Sequence, residues 1–202
     1  MLRLVFSGGI CERINEIVYA VDTETGVRIF GDIAEGRYVV RHVVGPGENA
    51  LQQPFDYSCD NDHAEREYSR LLKDDPTLQW LGELHVHPSG LPNLSRTDVK
   101  TARDVICSTE DVIHPAEFIV GVIQRTPGPD FEVFPVLFSK ANLKGEILGV
   151  DYYGKHHLCE KSGRAAGIIR EAYRYCRLRQ RRRRSRRYRR TDGTRSGNAH
   201  RS

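Results

Sequence analysis

The sequence predicts a mixed α/β (or α+β) domain in which helices pack against one curved mixed β-sheet, followed by a basic C-terminal helix and tail. Three observations predict it. Short β-rich runs alternate with helical periodicities over roughly the first 140 residues, with no internal repeat and no phosphate-binding glycine loop. The 202-residue chain is 39% apolar, enough for one ordinary core plus an appendage. Charge is divided: residues 174–202 hold 13 Arg against Asp192 alone, a net of +12, and residues 1–173 carry a net of −8. The expected organisation is a domain over 1–160, an Arg-rich helix over 161–190 and a disordered tail over 191–202.

Residues 2–6 form a short apolar run that suits a strand. Residues 10–21 carry Ile10, Ile14, Ile17, Val18 and Val21 at the spacing of a helix face. Residues 27–31 and 38–44 are β-rich and separated by Gly36, as in a hairpin, after which Gly45-Pro46-Gly47 breaks regular structure. A helix is predicted over 63–73, with Asp60, Asn61 or Asp62 to cap it and Asp74-Asp75-Pro76 to stop it. A strand over 78–86 follows. Ser95-Arg96-Thr97-Asp98 resembles a capping pattern, and Val99, Ala102, Val105 and Ile106 supply the stripe of the helix it opens. Residues 118–123 and 131–138 are strand candidates divided by Thr126-Pro127-Gly128-Pro129, and 162–183 favour helix.

No window approaches the ~20 apolar residues of a membrane helix, and the start lacks a basic stretch followed by a long apolar one. The expectation is a soluble cytoplasmic protein. Five scattered cysteines (Cys11, Cys59, Cys107, Cys159, Cys176) include no Cys-x-x-Cys pair, which fits a reducing compartment and thiols that fill small core or surface positions. The arginine run from Arg174 to Arg190, with Tyr173, Tyr175 and Tyr188 nearby, has the composition of a nucleic-acid contact. A solvated tail, or one that meets an acidic surface or partner, has the same composition.

The chemistry concentrates in residues 84–98. His85 and His87 stand two apart at the end of the predicted strand, hence on one face. After a turn rich in Pro and Gly, the first turn of the next helix offers Ser95 and Asp98. Two imidazoles and one carboxylate converging on a point suit zinc, and three protein ligands leave a fourth position for water, as in catalytic sites. Zinc lowers the pKa of such a water to around 7. The reaction would also need a carboxylate outside the metal shell to move the proton, and a donor toward the developing oxyanion, which Ser95 could supply. Ser95 equally suits a helix cap. His42, His63, His114, His156 and His157 have no ligand-like company.

His85-x-His87, seven residues, then Ser95-x-x-Asp98 resembles the JAMM motif of MPN+ zinc metalloproteases. That family also has an upstream glutamate, often in Glu-x-Gly-Gly-x-Leu-x-Gly. Here Glu24-Thr25-Gly26-Val27-Arg28-Ile29-Phe30-Gly31 is similar, with Val27 where a second glycine is common. The resemblance covers roughly residues 1–140. It implies a cytidine-deaminase-like MPN fold, one zinc ion on His85, His87 and Asp98, Glu24 as general base and acid, and Ser95 steadying the tetrahedral intermediate. Glu83 is the rival to Glu24, because on a regular strand it faces the same way as the two histidines. His-x-His-Pro-Ser-Gly also occurs in RadC-type proteins, whose helix-hairpin-helix portion is not evident here. Gly82-Glu83 and the short N-terminal strand and helix resemble instead prokaryotic JAB proteins found beside ubiquitin-activating (E1-like) and ubiquitin-conjugating (E2-like) homologues, including antiphage operons.

The activity the resemblance implies is isopeptidase or peptidase cleavage of a ubiquitin-like protein from its conjugates, or trimming of its C-terminus. E1-like and E2-like proteins would be partners. The alternative is a non-catalytic MPN binding module whose basic tail tethers an assembly to nucleic acid or an acidic partner. Neither reading involves a membrane.

Overall fold

The computed structural model describes residues 1–87, 90–108, 115–128 and 130–153. The helix expected over 161–190, the tail over 191–202 and the contacts expected of them lie outside the described residues.

The chain begins with strand β1 (Arg3–Phe6) and helix α1 (Gly8–Val18), then β2 (Gly26–Ala34) and β3 (Arg37–Val44). Glu35 and Gly36 join β2 to β3 with φ of 49° and 76°, a turn whose two positive φ angles match the twist of a tight hairpin. A small hairpin, β4 (Leu51–Gln53) with β5 (Asp56–Ser58), precedes helix α2 (Asn61–Asp74). Asp60 caps α2, its carboxylate accepting from His63 N at 3.0 Å and from the backbone and side chain of Asn49. Strand β6 (Gln79–Val86), helix α3 (Arg96–Cys107) and strands β7 (Glu117–Thr126), β8 (Asp130–Ser139), β9 (Glu146–Ile147) and β10 (Gly149–Tyr152) complete the described part.

One mixed sheet of eight strands runs in the order β10-β1-β3-β2-β6-β7-β8-β9. Strands β9 and β10 are neighbours in sequence, separated only by Leu148, yet lie at opposite ends of that order. The sheet must therefore curl until its edges approach. Leu148 N donates to Pro135 O at 3.1 Å, and Tyr152 Oη accepts from Val133 N at 3.0 Å, so the two edges meet. The result is a curved, nearly closed sheet, as the predicted curved mixed sheet required.

Burial separates the two sides. On one, Cys11, Ile14 and Val18 of α1 pack with Leu4, Phe6, Ile29, Val40, Leu84 and Val86. On the other, Ala102 and Ile106 of α3 cover Phe118, Val120, Val136 and Phe138, and Leu71 of α2 covers Phe30 and Val44. Each of the fully buried Val, Leu, Ile and Phe side chains among them contributes about 1.5–3 kcal/mol of transfer free energy, so these layers fix the helices on the sheet.

Strand β6 carries an irregularity that decides which side its chemistry faces. Ile29 pairs with Gly82 and the next residue, Phe30, with Trp80, leaving Leu81 as an extra residue. Trp80 therefore lies with the α2 and α3 layer while Leu81, Leu84 and Val86 all lie in the α1 core. Gly82 sits at φ 153°, and a Cβ there would fall 1.9 Å from Ile119 O, so only glycine fits. The consequence is that Glu83 and His85 emerge on the α3 side.

Candidate metal centre

Strand β6 delivers His85, which is 9% exposed, and the residue just beyond its end, His87. Helix α3 delivers Asp98 from its first turn, and the local chain dictates how. Ser95 is the N-cap: its Oγ accepts from Asp98 N at 3.1 Å, while Asp98 Oδ2 accepts from Ser95 N, a reciprocal capping box. The box holds the Asp98 carboxylate at the helix start, turned back to the strand.

The three ligand atoms lie within 4.8 Å of one another. His85 Nε2 and His87 Nε2 are 2.8 Å apart, and each is 3.5 Å from an Asp98 oxygen, Oδ1 for His85 and Oδ2 for His87. A purely hydrogen-bonded imidazole–carboxylate pair closes to about 2.7–2.9 Å. Here both gaps stay wider, and two nitrogens face one another. A tetrahedral zinc with bonds of about 2.0–2.1 Å has ligand-to-ligand edges of roughly 3.3–3.4 Å. The two nitrogen-to-oxygen separations, each to its own Asp98 oxygen, lie near that length, so a single oxygen serving both edges needs a small turn of the carboxylate, and the nitrogen-to-nitrogen edge needs a small opening. The donor set and its spacing fit a cation.

Electrostatics agree. Burial pushes the Asp98 carboxyl up, but the two imidazoles and the Ser95 N–H outweigh it and hold Asp98 well below the usual carboxylate range. Asp98 raises His87, against the opposing effect of burial, with help from Glu24 and from a hydrogen bond to the Leu91 backbone.

Glu24 approaches the trio from the segment just before β2. Gly26 pairs with His85, and Val86 N donates to Thr25 O at 2.8 Å, so Glu24 falls opposite His87. Its own N–H donates to Gln53 O of β4 at 3.1 Å. Burial raises the Glu24 carboxyl; His87 and His85 draw it down, and Asp98 and Asp56 push it up again, leaving it raised. Such a carboxylate, close to the imidazoles and more basic than usual, is suited to exchanging a proton.

Glu83 is committed elsewhere. Its Oε1 accepts from Arg28 Nε at 2.9 Å across the β2–β6 ladder, and Arg28 also donates to Asn61 and lies 5.1 Å from the centre of the Trp80 ring. Ser95 Oγ accepts a hydrogen bond as a cap, and its O–H remains a possible donor because a hydroxyl has both capacities.

Gly26 belongs to the site, although sequence reasoning gave it no role. A Cβ there would lie 2.7 Å from Leu84 O, 2.7 Å from Tyr57 Cε1 and 3.0 Å from His85 Cβ. The signal was its place two residues after Glu24. His42 and His63 lie outside the trio, and His114, His156 and His157 fall outside the described residues. No helix among the described residues is long and apolar enough to cross a membrane.

Among solved structures, the chain is similar to the solution structure of protein DSY2949 from Desulfitobacterium hafniense. The TM-score is 0.55 at 14% identity, covering 79% of this chain and 97% of that one. At that identity the likeness concerns the fold, which is mixed α/β. No protein-family model and no curated protein matches the sequence.

Proposed function

We propose that this protein is a zinc-dependent hydrolase of the JAMM type, with the MPN fold, that cleaves an amide or isopeptide bond at the C-terminus of a ubiquitin-like protein. The observation that carries the reading is the convergence of His85 Nε2, His87 Nε2 and an Asp98 oxygen within 4.8 Å, with Glu24 placed beside them by the β2–β6 ladder. Zinc held by these three side chains would supply Lewis acidity toward a carbonyl and a water of lowered pKa.

The remaining roles fall to the chain. Glu24, outside the three ligands and raised by burial, accepts a proton and returns it to the leaving amine. The Ser95 hydroxyl donates toward the substrate carbonyl oxygen while its lone pair stays on Asp98 N. Arg28 keeps Glu83 from competing for the proton. An extended substrate tail suits a site bounded by strands, and the hairpin β4–β5 beside Glu24 offers backbone edges for it.

The test is zinc content of the purified full chain beside His85→Ala/His87→Ala, with the same samples assayed on a ubiquitin-like fusion. One zinc per chain and cleavage, both lost in the variant, is the expected result. Protein that takes up no zinc would overturn the reading and leave a binding module.

A further inference from the structure

We propose that Arg125, on β7, is the positioning residue for Glu24. This rests on the assignment of Glu24 made above. Helix α1 ends at Val18 with no basic residue in its last turn, so its final carbonyls need an outside partner. Arg125 provides one from across the sheet: Nε donates to Val18 O at 2.8 Å, Nη2 to Val21 O and Thr23 O, and Nη1 to Asp22 O at 3.4 Å. One guanidinium thus gathers the carbonyls of the segment that leads to Glu24. Only arginine has enough donors in a rigid fork to do so.

The next residues are tied as well. Glu24 N is held by Gln53 O, and Thr25 O by Val86 N. The chain therefore enters Glu24 from a clamped loop and leaves it into β2, the strand paired with the one that carries His85. Tyr19 closes the arrangement from the other side. Its ring lies 5.8 Å from the Arg125 guanidinium carbon, and its hydroxyl is within reach of Thr126 O at 3.1 Å, at the end of β7, and Gly128 O at 3.0 Å, in the turn that follows. An arginine serving only as a cap for α1 would need Val18 O and no more. The contacts to Val21, Asp22 and Thr23 extend the hold to the residue before Glu24.

The experiment compares the full chain as wild type, Arg125→Gln, Glu24→Gln and the double variant. Hydrogen exchange over residues 18–26 needs no substrate. It should accelerate about tenfold or more in Arg125→Gln while exchange in α2 is unchanged; wild-type protection of 18–26 overturns the proposal. Zinc content should stay at the wild-type level in all four. On the ubiquitin-like fusion, Arg125→Gln should lower kcat about 10- to 100-fold with KM within about twofold, and should leave unchanged the residual single-turnover rate of Glu24→Gln read at excess enzyme. Equal losses in both backgrounds would make Arg125 a general support of the fold and overturn the proposal. If Arg125→Gln does not fold, Arg125→Lys substitutes, with an intermediate loss expected; wild-type exchange and kcat in that variant refute it. A wild type that neither binds zinc nor cuts sinks the hydrolase reading, and the exchange measurement still decides the clamp.

Discussion

Replacing Gly26 with alanine would insert a methyl group between β2 and the strand that carries His85. Its Cβ would stand 2.7 Å from Leu84 O, 2.7 Å from Tyr57 Cε1 and 3.0 Å from His85 Cβ. Carbon contacts are comfortable from about 3.5 Å, so these neighbours must retreat by roughly 0.5–0.8 Å. The Tyr57 ring can tilt, but Leu84 O belongs to the backbone and His85 is a ligand. Overpacking of this kind costs about 1–3 kcal/mol, which in a domain of this size lowers Tm by roughly 2–12 °C. A ligand displaced by a loss of its support binds metal about 10- to 100-fold more weakly. The assay is competition for zinc with a chromophoric chelator, beside thermal unfolding of the metal-free and loaded protein. Gly9→Ala in α1 is the control, because no atom lies within 4 Å of its Cβ. That variant should gain about 0.5–1 kcal/mol and keep its zinc affinity. Wild-type zinc affinity in Gly26→Ala, or an equal loss in Gly9→Ala, would refute the contact argument.

Glu24→Gln should retain zinc and lose turnover. In the metal-free wild type the Glu24 carboxyl, followed by carbon NMR, should titrate above 4.5; because its folded pKa is raised, its contribution to stability is present at acid pH and is lost as pH rises through that value. Asp60 has the opposite sign. Hydrogen bonds from His63 N and from Asn49 hold its carboxyl below 3.8, so its contribution is present above 3.8 and is lost as pH falls through the native value. Asp60→Ala should therefore lower Tm at pH 7 and converge on wild type in strong acid. Ile106→Ala, at a site with no exposure, should cost about 2–5 kcal/mol in urea unfolding and weaken zinc binding, since α3 carries Asp98; a loss under about 1 kcal/mol would mean that α3 is not held by this layer.

Much of the site was legible because its signals are local. Ser95 and Asp98 announce their capping box within four residues, and His85 and His87 announce a shared face by their spacing. The β2–β3 hairpin, α2 with its Asp60 cap, and the β7–β8 pair were visible for the same reason. What depends on distant partners was not. The helical pattern predicted α1 to Val21, but the helix stops at Val18, where Arg125 takes the carbonyls that follow. Strands β4, β5, β9 and β10 are two to four residues long, too short to show a period. Residue pattern alone could not separate Glu24 from Glu83, and the resemblance favoured Glu24; the ion pair of Glu83 with Arg28 depends on a cross-strand register that the sequence does not display. Cys11 behaves as the expected small core filler, wholly buried beside Ile14.

The extra residue at Leu81 sets the parity of everything downstream in β6. Upstream of it, Trp80 is read in the frame of the aromatic layer under α2 and α3; downstream, side-chain direction is counted afresh from Gly82. A residue gained or lost near Leu81 enlarges or removes the bulge, and the ladder can absorb it while the imidazoles keep their side. The same change between Glu83 and Leu84 has no such slack: it would send His85 into the apolar core and bring Leu84 out toward Asp98. Tolerance to insertion along this one strand should therefore be strongly lopsided, with the boundary at the glycine that no other residue can replace.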